Sequence, residues 1–442
     1  MTATEAGGEP SGLAMAPSIS PVARVRAILG GSAGNLVEWY DWFAYSSFAL
    51  YFAKHFFPKG DTTAQLLQTA AVFWVGFLAR PLGAWLTGLY ADRAGRRAAL
   101  TLSVAMMCAG SFSIAIMPDY AAWGAWAPIC LVIARLVQGL SLGGEYGASA
   151  TYMSEMAGKT RRGFWSSFQF MTLIMGQLTA LAVLIVLQHV LPKADLEAWG
   201  WRIAFAIGGL LAVVVFYIRS GLEESPSFLA AKASGAERSR AMLLFTKFPR
   251  ETWTIFALTS AGSLAFYAYT TYMQKFLVNT SGFSKDQATA ISAGSLLVYM
   301  LIQPLYGALS DKIGRKTTLI FAFLAGATVT YPLMTQIAVT RDALTAFGLV
   351  VALLVVLSGY TAVNAVLKAE LFPAHVRALG VALPYALANS IFGGSAEYIA
   401  LRFKQDHMES GFYIYVAGVM AIAFLVALTL KNTNRDSLIT ED

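Results

Sequence analysis

A ten-residue segment, Gly88-Leu-Tyr-Ala-Asp92-Arg93-Ala-Gly95-Arg96-Arg97, recurs as Gly307-Ala-Leu-Ser-Asp311-Lys312-Ile-Gly314-Arg315-Lys316, each copy lying between two long apolar stretches. A second pair of landmarks repeats in register, because the offset from Glu155 to Glu370 equals that from Arg162 to Arg377. One matched turn could be coincidence, but two in register define an internal repeat. A duplicated unit bounded by apolar segments implies a membrane bundle built from two halves, and such bundles characteristically move about a site near the bilayer midplane.

The solvent for most of this chain is lipid. Apolar residues make up 57% of its 442 positions and charged residues 13%, with a mean hydropathy of +0.58, beyond the range of ordinary soluble domains. A helix needs roughly 20 apolar residues to cross the hydrocarbon core. The pattern predicts twelve such helices, at 27–52, 66–91, 98–117, 126–153, 163–190 and 200–219, then 251–277, 286–309, 317–337, 345–369, 376–400 and 411–430. The expected fold is an all-α membrane protein of two pseudo-symmetric six-helix bundles, 27–219 and 251–430. A polar segment at 220–250 links them, with tails at 1–26 and 431–442. The first 26 residues lack the apolar stretch of a cleavable signal and read as a tail. Cys108 and Cys130 both fall within predicted spans, which argues against a disulfide framework or a metal site.

Lysine and arginine concentrate in cytoplasmic loops. Most of the 32 basic residues fall on one side of the bilayer when both termini and the 220–250 segment are placed in the cytoplasm. That asymmetry accounts for the net charge of +7, so the basic balance is poor evidence for nucleic acid.

The repeated turn, Gly-x-x-x-Asp-(Arg/Lys)-x-Gly-(Arg/Lys)-(Arg/Lys), resembles the signature of the major facilitator superfamily, and the resemblance extends over essentially the whole chain. Gly88 and Gly307 suit close helix approach, Gly95 and Gly314 suit tight turns, and Asp92 and Asp311 can accept hydrogen bonds from basic groups or a helix N-terminus. The resemblance implies a cytoplasmic gate formed by Asp92, Arg96, Glu155 and Arg162 with Asp311, Arg315, Glu370 and Arg377. Three further stretches resemble the metabolite:proton symporters within that superfamily: Gly34-Asn35-Leu-Val-Glu38-Trp39-Tyr40-Asp41, Gln138-Gly139-Leu-Ser-Leu-Gly143-Gly144-Glu145-Tyr146-Gly147, and Lys368-Ala-Glu370-Leu-Phe-Pro373 with Arg377. This implies proton-coupled uptake of a carboxylate such as α-ketoglutarate by a monomer in a bacterial inner membrane. Citrate, shikimate or a zwitterionic osmolyte is the alternative cargo, and no cofactor is expected beyond the coupling proton.

Charges inside the bilayer are costly unless they face a cavity or a partner. Arg80, Glu38, Asp41, Arg135 and Glu145 are the residues in that position. At helical spacing Arg135, Gln138, Leu142, Glu145 and Ser149 form one stripe, Asn35, Glu38, Trp42 and Tyr45 a second, and Ser263, Tyr267, Thr270 and Gln274 a third. A shared aqueous cavity keeps these stripes out of lipid. Guanidinium groups bind carboxylates in a bidentate fork, so Arg80 and Arg135 are the expected dianion ligands. Gln138, Gln169, Tyr267, Gln274, Tyr385 and Asn389 are the expected hydrogen-bonding partners. The competing reading pairs Arg135 with Glu145 and Arg80 with Asp41 as structural ties between helices.

Proton coupling is expected to fall on Glu38, Asp41 and Glu145, since His55, His189, His375 and His407 all lie near predicted helix ends or loops. Trp123, Trp126, Trp199 and Trp201 read as an interfacial belt. Lys54, Lys275 and Arg202 read as snorkelling anchors near the outer mouth. Lys368, on a stripe with Tyr360 and Asn364, is open between snorkelling and contact with cargo. The chain carries no Walker loop, metal-ligand cluster or convincing nucleophile–base pair, so neither an enzyme nor an ATP-driven pump is expected.

Overall fold

The computed structural model describes residues 21–94, 96–143, 154, 161–220 and 242–431. The described chain is almost wholly helical. The first half contributes α1 (Pro21–Phe56), α2 (Thr62–Ala94), α3 (Arg96–Ile116), α4 (Trp126–Leu142), α5 (Phe168–Val190, led in by the turn Arg162–Ser166) and α6 (Trp201–Ser220). The second contributes α7 (Pro249–Tyr269), α8 (Lys285–Ile313), α9 (Arg315–Val339), α10 (Ala343–Thr361), α11 (Ala374–Ala388) and α12 (Glu409–Leu428). Eight of these segments are long and apolar enough to cross a membrane as they stand, and Thr101–Ile116 and Trp126–Leu142 are shorter apolar helices. With α1 and α7 they make up a twelve-helix bundle.

Local chemistry fixes several boundaries. Ser284 and Gln287 form a reciprocal capping box at the start of α8, Asp342 caps α10, and Pro249 opens α7 where its missing N–H costs nothing. Gly314 turns the chain between α8 and α9 at φ 96°, a conformation open to glycine. Several helices begin before their predicted starts, α1 at Pro21 and α7 at Pro249. Hydropathy registers the lipid-facing length, whereas hydrogen bonding carries a helix on into the polar region. Much of the expected linker, 221–241, and most of the final tail, 432–442, lie outside the described residues.

Three helices of the second half are interrupted. The α7 helix breaks at Thr270–Tyr272 and resumes as Met273–Asn279. The α10 helix breaks after Thr361 and resumes as Asn364–Glu370, while α11 passes through a wide turn, Asn389–Gly393, into Gly394–Gln405. Irregular backbone at membrane depth persists only where protein or a cavity covers it.

The halves meet along two seams that the repeat relates to one another. One is α5 against α8; the other is α2 against the Gly394–Gln405 continuation of α11. At the first, Gly307 and Gly163 approach so closely that a Cβ on Gly307 would stand 2.5 Å from the Gly163 carbonyl oxygen. At the second, proline does the work. Pro81 supplies no N–H to the Phe77 carbonyl one turn back, and that oxygen instead accepts the Ser390 hydroxyl at 2.7 Å.

Candidate functional site

The repeated motif defines one end of the bundle. There the Asp311 carboxylate accepts the backbone N–H of Gly163 at 2.8 Å and of Phe164 at 3.0 Å. Those donors belong to the unsatisfied first turn leading into α5, where helix geometry favours an anion. Arg315 pairs with Asp311 at 2.8 Å and reaches Glu370 at 3.5 Å, all three residues nearly buried. Buried Arg377 donates from Nε to the Phe372 carbonyl at 3.2 Å. Arg162 is also buried at this seam. Five of the eight expected gate residues thus converge on one end. The side chains of Asp92 and Arg96, and Glu155 altogether, fall outside the described residues.

Midway along the bundle lies a narrow cavity of about 20 Å³, lined by Asn35, Glu38, Trp39 and Arg80 of the first half and by Tyr385 and Asn389 of the second. A second, smaller void of about 10 Å³ adjoins it, with Ser263, Tyr267 and Tyr360 in its wall, and Tyr385 and Asn389 line both. Polar groups from both repeats therefore converge on one chamber.

Close packing of α2 on α4 sets the arginines. Gly139 abuts Gly76, and Gly143 abuts the Arg80 backbone with no room for a Cβ. Arg80 reaches the chamber beside aromatic rings, 4.1 Å from the centroids of both Trp42 and Phe77. Its Nε and Nη2 are buried and meet no hydrogen-bond acceptor among the described residues. Arg135 packs 4.0 Å from the Trp42 ring and 4.5 Å from that of Tyr45. Cation–π contact of this kind, worth up to ~2 kcal/mol when desolvated, holds both guanidiniums in place while leaving polar edges available.

Arg135 leads into a chain of hydrogen bonds. Its Nη1 donates to Gln138 Oε1 at 2.7 Å, and Gln138 Nε2 donates to Asp41 Oδ2 at 2.6 Å and to Ser111 Oγ at 3.0 Å. The Ser111 hydroxyl donates to Asp41 in turn. The network joins α1, α3 and α4, and every member is buried.

The structure separates the expected site residues into groups. Arg80, Glu38, Tyr385 and Asn389 line the main chamber and Tyr267 the adjoining one. Arg135, Gln138 and Asp41 form the buried network, outside the chamber lining. The structural alternative for Arg80 is corrected in detail, because the hydrogen bonds given to Asp41 come from Ser111 and Gln138. Gln169 is fully buried and lines neither void. Gln274 lines neither void, and its amide donates to Thr289 at 3.0 Å. The break at Thr270–Tyr272 puts Gln274 out of phase with Ser263 and Tyr267, which an unbroken helical stripe could not foresee. Glu145 lies outside the described residues.

Other expectations shift as well. Trp123, Trp126 and Trp199 are exposed as an interfacial belt requires, but Trp201 is fully buried against Phe52, Phe56 and Phe205. Arg202 is no free anchor, since it donates to the Ala115 and Met117 carbonyls at the end of α3. Lys368 is buried, its ammonium 4.0 Å from the Tyr385 ring. Lys275 is buried completely and forms an ion pair at 2.8 Å with Glu397, a residue to which the sequence reading gave no role. The signal available was one acid and one base near the ends of two predicted spans, with nothing to say that they face each other.

A two-fold bundle of interrupted helices around a chamber at membrane depth is the architecture of a secondary transporter. Residues 27–248 match the family described as sugar (and other) transporter, and residues 275–440 match the major facilitator superfamily. The chain is 52% identical over 414 residues, 93% of its length and 95% of the relative's, to the alpha-ketoglutarate permease of Escherichia coli strain K12. It is 33% identical to the citrate-proton symporter of Klebsiella pneumoniae, covering 91% of this chain and 92% of that one. Among solved structures, the proton:xylose symporter XylE bound to 6-bromo-6-deoxy-D-glucose superposes with a TM-score of 0.76 at 19% identity, over 94% of this chain and 98% of that chain. The chain belongs to the major facilitator superfamily, and it is an integral membrane transporter rather than an enzyme.

Proposed function

We propose that this protein carries α-ketoglutarate or a closely related dicarboxylate into the cell together with protons, by alternating access of its two halves. The observation that carries the reading is Arg80, a buried guanidinium with donors available in the wall of a chamber that both repeats line. A carboxylate there accepts a fork of two N–H groups, a geometry that lysine cannot reproduce. Tyr385 and Asn389 supply donors from the opposite half, so one bound molecule contacts both. The 52% identity to an alpha-ketoglutarate permease supports the choice of cargo.

Charge balance supplies the coupling. Bringing a dianion into a chamber of low dielectric is costly unless positive charge arrives with it. Glu38 stands in the chamber wall, and Asp41 connects to Arg135 through Gln138. Occupancy of Arg80 by a carboxylate places new negative charge in the chamber that Glu38 lines and favours a proton on Glu38, while Asp41 responds through Gln138 and Arg135. Release of cargo to the cytoplasm reverses the balance. Arg135 and Gln138 then act through Asp41 in addition to the cargo-binding role the sequence suggested. In this reading the protein sits in the bacterial inner membrane as a monomer with both termini cytoplasmic. The Asp311–Arg315–Glu370 cluster, with Arg162 and Arg377, closes the cytoplasmic side.

Uptake of labelled α-ketoglutarate into proteoliposomes, with and without an imposed inward proton gradient, tests this directly. Accumulation should require the gradient and be displaced by unlabelled α-ketoglutarate more effectively than by citrate or proline. Preferential displacement by citrate or proline would transfer the assignment to that cargo, and accumulation indifferent to the gradient would remove the proton.

A further inference from the structure

At the end of the bundle opposite the repeated motif, the Lys275 ammonium is wholly inaccessible to solvent and lies 2.8 Å from the Glu397 carboxylate, itself 3% exposed. Both residues belong to the second half, each on the short segment that follows an interruption: Lys275 on Met273–Asn279 and Glu397 on Gly394–Gln405. Among the described residues, the first half hydrogen-bonds to this pair through Ser46. Ser46 of α1 accepts a hydrogen bond from Lys275, and its hydroxyl stands 3.5 Å from Glu397 Oε2. Neighbouring contacts between the halves are of a different kind. Lys285 meets Glu197 at 2.8 Å with about a third of each side chain exposed, Lys193 meets Asp286 at exposed positions, and Asn279 donates to Thr63 at 3.1 Å. Water can replace each of those partners at little cost. It cannot do so at Lys275 while the halves are closed.

We propose that Lys275 and Glu397 form the latch of the outer gate, a buried ion pair on the second half that closes onto Ser46 of the first and is exposed to water each time the chamber opens outward. Charges sealed from solvent carry a desolvation penalty that only good geometry and complete hydrogen bonding offset. Ser46 is what completes the coordination of this pair across the seam. Outward opening separates Ser46 from the pair and admits water, so the closed and open states exchange one hydrogen bond for hydration and lie near each other in free energy. Replacing one ion by a neutral residue leaves the other buried and unpaired, which penalises the closed state alone. The breaks that precede both segments allow them to tilt as units while α7 and α11 remain packed at the motif end. This inference concerns the gate and holds for whichever solute is carried.

The test measures opening without cargo. In a Cys108→Ser, Cys130→Ser background, spin labels at Lys59→Cys and Gln405→Cys report the distance between the outer loops of the two halves by electron–electron resonance. Glu397→Gln should move the distribution toward longer distances, shifting the open-to-closed ratio by on the order of a hundredfold. Ser46→Ala, which keeps the pair, should shift it in the same direction by about tenfold. The double variant Lys275→Met, Glu397→Gln removes both charges and should return the distribution toward the parent. Unchanged distances in Ser46→Ala and Glu397→Gln, in protein that elutes as a folded species, would overturn the proposal and leave the pair as a packing element of the second half. Open distributions in the double variant equal to those of Glu397→Gln would overturn it as well.

Discussion

Asp41 and Arg135 are joined through a single amide: Gln138 accepts the guanidinium at 2.7 Å and donates to the carboxylate at 2.6 Å. A proton arriving on Asp41 therefore changes what Gln138 can hold and, through it, how Arg135 is satisfied. Asp41→Asn fixes the neutral form and should abolish accumulation driven by a proton gradient. Exchange of preloaded for external cargo, which needs no net proton movement, should remain within a few-fold of the parent. Counterflow in proteoliposomes separates the two. Accumulation that persisted in Asp41→Asn and also in Glu38→Gln would remove both carboxylates from the coupling mechanism.

The two arginines should respond differently to the same substitution. Arg80 faces the chamber, so Arg80→Lys replaces a fork by a point charge and should raise KM for the dicarboxylate by about ten- to a hundredfold, roughly 1.4–3 kcal/mol. Arg135 is tied to Gln138 and enclosed by Trp42 and Tyr45. Arg135→Lys should leave KM closer to the parent while lowering the accumulation ratio reached at a given pH gradient. Equal losses of affinity in both variants would place both arginines on the cargo.

The seam between α5 and α8 gives a prediction about packing rather than chemistry. The Gly307 Cα faces the Gly163 carbonyl at a distance that leaves no room for a methyl group, so Gly307→Ala forces the helices apart. Overpacking of this kind costs about 1–3 kcal/mol. The thermal midpoint of detergent-solubilised protein should fall, and uptake should fall with it. The same substitution at Gly348, where an added Cβ meets open space, should leave both unchanged.

Much of this was legible in the sequence for a physical reason. Lipid imposes one long apolar period on every span, so the twelve helices followed from local pattern, while a gate that includes Asp311 and Arg315 followed from what the duplicated motif's resemblance implies. Arg80 and Asp41 stood out because an ionised side chain in a span has few tolerable environments. What escaped were relations set by interruptions. The break at Thr270–Tyr272 turned Gln274 toward Thr289 and buried Lys275 against Glu397, and no periodicity carries across a break. Trp201 likewise looked interfacial from its position near a span end, yet the wide turn Leu196–Gly200 rotates it into the core.

Asp311 offers the sharpest test of the cytoplasmic gate. Its two oxygens satisfy the Gly163 and Phe164 amides at the first turn leading into α5, while Arg315 balances the charge from within its own half. Asp311→Asn keeps the size of the side chain but offers one acceptor oxygen in place of two and loses the charge that favours a helix N-terminus. It also removes the 2.8 Å ion pair between Arg315 and Asp311. The gate should therefore open more readily toward the cytoplasm. A cysteine introduced at Gly163 in a Cys108→Ser, Cys130→Ser background would itself disrupt the seam, so the reporter belongs at Ser167, whose Cβ lies beside Gly307. In inverted vesicles, labelling of Ser167→Cys by a membrane-impermeant maleimide should be several-fold faster with Asp311→Asn than without it. Equal labelling rates would mean that the α5–α8 seam is held by its glycines and that Asp311 contributes stability without gating.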